Sequence, residues 1–122
     1  MADASLICLR ILKSFDLRQK HPDSAPVYIE SAVNAKKKGT VKLGERTLIV
    51  PQSARLSSVI ERLRKNMDLH DVNANAGFLF FVKDGTRRVL PSPSDFVSVL
   101  YKKYVDADGF LHIIIDREDI FG

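Results

Sequence analysis

One cysteine, three histidines and a final glycine are the residues of this 122-residue sequence whose chemistry needs deciding first. A catalytic thiol needs a base within hydrogen-bond reach. Cys8 stands among Leu6, Ile7 and Leu9, and no motif ties His21, His70 or His112 to it. It reads as a buried or half-buried inert thiol. The histidines lack the paired spacing of a metal site, and His112, inside the run from Phe110 to Asp116, reads as a satisfied sheet residue. No nucleophile–base pair, carboxylate pair or phosphate loop stands out. The expectation is a protein that is not an enzyme, without catalytic residues, metal ligands or cofactor. Gly122 is a different matter. A carboxylate can be activated by adenylation and passed through thioesters when its tail threads narrow clefts, and glycine suits such clefts because it has no side chain to clash. Gly122 follows Phe121 and the polar segment Arg117-Glu118-Asp119, which fits a conjugation tail.

These residues need a scaffold, and the length allows one domain with a single modest core. The 45% hydrophobic and 28% charged fractions are ordinary for a globular chain. The apolar runs Phe78–Val82 and Ile113–Ile115 fall far short of the ~20 residues that cross a bilayer. The sequence starts without a basic stretch before an apolar one, so no secretory signal is expected. A single cysteine excludes an internal disulfide framework and makes the cytosol the default compartment. Nineteen basic against fifteen acidic residues give +4. That mild bias suits anionic lipid, acidic peptides or nucleic acid without choosing among them. The basic–aromatic alternation of an RNA-binding sheet is absent, and nucleic acid is not an expected partner. Lys36-Lys37-Lys38 reads as a solvated loop.

Along the chain, Asp3 or Ser5 is placed to cap a helix to about Lys20, with Leu6, Leu9, Ile11, Leu12 and Phe15 as its apolar positions; His21-Pro22 ends it. Val27-Tyr28-Ile29 reads as a strand, Asn34 to Glu45 as a long loop, and Thr47 to Val50 as a strand closed by Pro51. Leu56, Val59, Ile60, Leu63 and Met67 repeat at helical spacing, predicting a helix over 55–67. Asp71 to Gly77 is loop. Phe78 to Val82 reads as a strand covered on both faces. Asp84-Gly85 has turn chemistry. Ser92-Pro93-Ser94-Asp95 reads as a capped helix start, with Phe96, Val97, Leu100, Tyr101 and Tyr104 on one helical face. Asp108-Gly109 turns the chain into a last strand, Phe110 to Asp116. The order predicts an α+β fold, a ubiquitin-like β-grasp with an N-terminal helical extension and the last strand entering the sheet centre.

Several segments resemble the autophagy-related protein eight family of ubiquitin-like modifiers, the GABA-receptor-associated protein and microtubule light-chain three type. They are Leu17-Arg18, His21-Pro22-Asp23, Pro26-Val27, Leu48-Ile49-Val50-Pro51, Leu63-Arg64-Lys65, Phe80-Phe81-Val82, Leu100-Tyr101, Asp108-Gly109-Phe110-Leu111 and Phe121-Gly122. The resemblance covers roughly residues 10–122 and marks a divergent member. It divides the chain into an extension (1–22), a ubiquitin-like domain (23–116) and a flexible conjugation tail (117–122). The extension has little before Leu6, so the first of the family's two helices is expected to be missing or truncated. Insertions of about three residues are needed in the Asn34–Glu45 and Asp71–Gly77 loops.

The resemblance implies conjugation of Gly122 to phosphatidylethanolamine, by activating and conjugating enzymes, with a cysteine protease for processing and deconjugation. It further implies a cytoplasmic protein that reaches the autophagosome membrane when lipidated and acts there as an adaptor in autophagosome formation and cargo recruitment. Receptor and adaptor peptides of the aromatic-x-x-aliphatic type would add as a strand to a sheet edge. A first pocket would involve Leu17, Pro26, Tyr28, Ile49 and Phe110; a second, Leu48, Val50, Pro51, Val59 and Leu63. For Val50 and Leu63, simple core membership is equally open. Leu48 and Ile49 are adjacent, so one should point inward and the other needs a helix or ligand to cover it. Two family lysines correspond to Glu45 and Thr47, leaving Arg46 alone as the basic groove residue; a family acid corresponds to Lys13 and an arginine to Ser24. Ala54 and Val59 make the second pocket shallower, and Arg62 stands at a usually apolar position. Alternatives are a protein-conjugated modifier of the autophagy-related protein twelve type and an unconjugated basic binding domain.

Overall fold

Alternation builds the sheet. In β1 (Ser24–Ser31), Ala25, Val27 and Ile29 are buried on one face, while Tyr28 and Glu30 are half-buried on the other, as the two-residue repeat of a strand requires. The computed structural model describes residues 4–31, 42–43, 47–68 and 78–117. The expected loops over Asp71–Gly77 and most of Asn34–Glu45 lie outside these residues, as do Arg46, Phe121 and Gly122.

The described elements are α1 (Ala4–Lys20), β1, β2 (Lys42–Leu43), β3 (Thr47–Pro51), α2 (Leu56–Asn66), β4 (Met67–Asp68), β5 (Phe78–Asp84), β6 (Arg87–Val89), α3 (Val97–Tyr104) and β7 (Leu111–Arg117). Five strands form one mixed sheet in the order β3-β1-β7-β5-β6, and β2 pairs with β4 separately. The last strand lies in the middle, parallel to β1 and antiparallel to β5. This is the β-grasp arrangement with an N-terminal helix. On one sheet face, Leu56, Val59 and Leu63 of α2 and Val97 and Leu100 of α3 join Val27, Ile29, Leu48, Val50, Phe80, Val82 and Ile113 in one core. The other face carries Tyr28, and α1 meets it there through Arg10.

Three expectations change. The strand from Phe78 runs on to Asp84 and is covered unequally: Phe78, Phe80 and Val82 are buried, Leu79 and Phe81 only half. Among the described residues no helix lies over its outer side, where the Arg88 guanidinium sits 5.6 Å above the Phe81 ring. The short strands β2, β4 and β6 have no periodic signal because two or three residues are too few to show one.

Ser92-Pro93-Ser94-Asp95 does not start a helix; α3 begins at Val97 with Phe96 as its N-cap and no side-chain cap. Instead the Asp95 carboxylate accepts the Ser92 N–H at 3.1 Å, and the Asp95 N–H returns to the Ser92 carbonyl at 3.0 Å, closing a turn. That turn caps the other helix. The Leu56 and Ser57 N–H groups at the start of α2 donate to the Asp95 and Pro93 carbonyls, each at 2.8 Å. In exchange the Val97 and Ser98 N–H groups of α3 donate to the Ala54 and Gln52 carbonyls at 2.9 and 3.0 Å. Each helix start is thus satisfied by the loop before the other, which answers the orphan donors of both.

Candidate functional site

β3 is an edge strand, and its register decides which residues face outward. The Gln52 N–H donates to the Asp23 carbonyl at 3.0 Å, so residues 23 and 52 form a hydrogen-bonded pair. Along an antiparallel ladder such pairs alternate. Ala25 with Val50 and Val27 with Leu48 are then bonded pairs, while Pro26 with Ile49 and Tyr28 with Thr47 are not. Pro26, which has no N–H, stands where none is needed. Ile49 therefore turns its N–H and carbonyl away from β1, toward the open side. The Arg62 guanidinium meets that carbonyl, its Nη1 donating at 3.2 Å.

Beside this edge, under α1, lies a cavity of about 200 Å³ lined by Leu6, Leu9, Arg10, Lys13, Tyr28, Thr47 and Phe110. Phe110 is fully buried and meets Tyr28 edge-on with ring centroids 6.0 Å apart. Arg10 lies 4.4 Å above the Tyr28 ring centroid and donates to its hydroxyl at 3.2 Å. Pro26 and Ile49 continue the same sheet face, Pro26 buried and Ile49 half-buried. Leu17 is half-buried one turn beyond Ser14 on α1. Leu6, Leu9 and Arg10 were not among the predicted pocket residues, whereas Lys13 was expected at a groove position. Their spacing on one helix side was the available signal, masked because the first turns of α1 are apolar almost all round.

The residues predicted for a second pocket belong to the core or its edge. Leu48, Val50, Val59 and Leu63 are all buried in the core, 3% exposed at most, and Pro51 is exposed at the end of β3. Val59 and Leu63 share the inner side of α2 with Leu56 and so pack against the sheet.

α1 is held at a polar contact. Ser14 is buried and its hydroxyl donates to the Asp108 carbonyl at 2.6 Å. With Arg10 and Leu17 it forms the side turned to the sheet, leaving Leu9, Leu12 and Phe15 more than half exposed. Cys8 falls on the solvent flank and is exposed, contrary to the expectation of a buried or half-buried thiol.

Below the cavity floor, His112 is buried with Nε2 2.6 Å from Asp108 Oδ2 and Nδ1 3.3 Å from Glu30 Oε1. One histidine and two acids, Asp106 and Asp108, bring a polar atom each within 4.8 Å of one another. These atoms are already engaged. Asp108 Oδ1 accepts the Phe110 N–H at 2.9 Å, and the Lys83 ammonium lies 3.3 Å from Asp106 Oδ2. Burial by itself disfavours the Asp106 carboxylate, but the Ala107 N–H and Lys83 outweigh it and hold the carboxyl below its ordinary value. Burial pushes the Tyr101 phenol up against the opposing pull of Arg18, and its hydroxyl donates to the Gly109 carbonyl at 2.7 Å. The cluster holds the turn that carries Phe110.

A mixed sheet with its last strand at the centre and a helix across one face defines a ubiquitin-like fold. Comparison with known proteins narrows the class. The family model described as "Autophagy protein Atg8 ubiquitin like" matches residues 9–122. The chain is 28% identical over 113 residues to an autophagy-related protein 8-like protein of Dictyostelium discoideum, covering 93% of this chain and 85% of that one. It is 27% identical over 113 residues to autophagy-related protein 8a of Arabidopsis thaliana, covering 93% and 84%. The crystal structure of Trypanosoma brucei ATG8 superposes with a TM-score of 0.69 at 26% identity, covering 95% of this chain and 91% of that one. The chain belongs to the Atg8 family of ubiquitin-like autophagy proteins.

Proposed function

We propose that this protein is a conjugated modifier, joined through the carboxylate of Gly122 to phosphatidylethanolamine. On the membrane it acts as an adaptor in autophagosome formation and cargo recruitment. The observation that carries the reading is the extent of the family match, which continues through the Phe121-Gly122 end. Arg117, expected in the tail, pairs with Phe78 at the end of β7, so residues 118–122 are the tail that threads the activating and conjugating enzymes and the processing cysteine protease, residues 23–117 the ubiquitin-like unit, and residues 1–22 the helical extension. The protein itself is not an enzyme. Among the described residues no helix is long and apolar enough to cross a membrane. Stable attachment then calls for acquired lipid, and two acyl chains hold far better than one. The free protein is cytoplasmic and the lipidated form resides on the autophagosome membrane.

Partners of the adaptor are extended peptides built on an aromatic anchor. The edge of β3 gives backbone hydrogen bonds and the cavity lined by Tyr28, Thr47 and Phe110 accepts the aromatic anchor. Incubation with the family's activating and conjugating enzymes, ATP and phosphatidylethanolamine liposomes tests conjugation. Gly122→Ala and deletion of Gly122 should abolish or severely impair it while leaving the fold intact. Equal lipidation of wild type and deletion variant overturns the proposal.

A further inference from the structure

The seam between β3 and α2 has an unusual lining. Its apolar residues Leu48, Val50, Val59 and Leu63 are all spent in the core. Among the described residues, the exposed Arg62 reaches the open edge, donating to the outward carbonyl of Ile49 at 3.2 Å. We propose that Arg62 is a specificity-determining residue of this edge. It receives a side-chain carboxylate of an extended peptide added to β3, three residues after the peptide's aromatic anchor. This rests on the peptide-binding reading above and deepens it.

The geometry follows from strand alternation. An aromatic side chain that enters the cavity under α1 lies on one face of the sheet. Residues at odd offsets from it face the other side, where α2 lies. Three residues span about 10 Å of strand. A guanidinium carries five donors in a fork that matches a carboxylate. The Ile49 carbonyl can therefore pass to a peptide N–H while the fork turns to an acid. An aliphatic side chain there meets the exposed Arg62, since Leu48, Val50, Val59 and Leu63 are taken up by the core, and covers the charge without satisfying it.

Four peptides with identical neutral flanks test the assignment on the full-length protein by fluorescence anisotropy. Their cores are Trp-Ala-Ala-Glu, Trp-Ala-Ala-Leu, Trp-Ala-Glu-Ala and Trp-Ala-Ala-Lys. Glutamate at the fourth position should bind roughly three- to fivefold tighter than leucine, the scale of an exposed ion pair, and high salt should erase the advantage. Glutamate at the third position, which faces α1, should not reproduce that salt-sensitive gain through Arg62. Arg62→Leu should reverse the glutamate–leucine order, and Arg62→Glu should make the lysine peptide the preferred one. If wild type favours leucine, or if Arg62→Leu leaves the glutamate–leucine ratio unchanged, the role of Arg62 is overturned while the edge survives. If Ile49→Ala and replacement of the tryptophan by alanine leave every affinity unchanged, the peptide-binding reading falls with it.

Discussion

Ser14 on α1 and Gly109 before β7 are fitted to each other so closely that a Cβ at position 109 would collide with the Ser14 hydroxyl. Gly109 also has φ +84°, in the left-handed region that side chains disfavour by about 1–2 kcal/mol. The Ser14 hydroxyl meanwhile donates to the neighbouring Asp108 carbonyl. Gly109→Ala should therefore destabilise by about 2 kcal/mol or more, adding backbone strain to overlap. Ser14→Ala should cost about 1–3 kcal/mol by leaving a buried carbonyl unpaired. Urea denaturation of both variants checks the pair; wild-type midpoints would show that α1 is not anchored here.

Leu48 and Ile49 are neighbours with opposite duties. Leu48 is 2% exposed in the core, while Ile49 lies half-buried on the face shared with Tyr28. Leu48→Ala should cost about 2–5 kcal/mol of stability, as large-to-small core changes do. Ile49→Ala should lose far less stability yet weaken an aromatic-anchored peptide by about tenfold, equivalent to ~1.4 kcal/mol. Denaturation and calorimetric titration separate the two effects. Equal losses of stability and binding in both variants would contradict the division.

The exposed thiol of Cys8 gives an inexpensive check on the orientation of α1. A maleimide reagent should label the native protein fully, at a rate close to that of the unfolded chain. Labelling that waits for denaturant would mean that α1 packs with its apolar side inward.

Asp106 predicts a pH dependence with a definite sign. Its carboxyl is held below the ordinary value in the folded protein, with burial opposing and the Ala107 N–H and Lys83 prevailing. Its contribution is therefore present above the unfolded value, near 3.9, and is lost as pH falls through the lower folded value. The stability difference between wild type and Asp106→Asn should persist at neutral pH and shrink in acid. Lys83→Met should behave likewise, because it removes the cation 3.3 Å from the carboxylate. A difference that grows with falling pH would reverse the assignment.

Much of the fold is written in local patterns. Ala25, Val27 and Ile29 alternate with Tyr28 and Glu30, and Leu56, Val59 and Leu63 repeat along α2. Period alone can say which side of each segment is inward. The left-handed turn at Gly109 is equally local. The same logic fails for α1, whose first turns carry Leu6, Ile7, Leu9, Ile11, Leu12 and Phe15 on nearly every side. There the facing is chosen by Ser14 and a carbonyl 94 residues away, a polar contact that no hydrophobic period can announce.

The start of α3 shows the same limit, since Ser92 to Asp95 carry every cap signal yet spend them on a turn whose carbonyls cap α2. The candidate site divides in the same way. Pro26, Tyr28, Ile49 and Phe110 could be named from the sequence through the family resemblance, and alternation adds that Tyr28 faces away from Val27 and Ile29. The contacts of Arg10 with Tyr28 and of Arg62 with the Ile49 carbonyl could not be read there, because both side chains come from helices whose position against the sheet is set by long-range packing. Burial of Leu48, Val50, Val59 and Leu63 likewise depends on how close α2 lies to β3. That separation is settled only when the whole core closes.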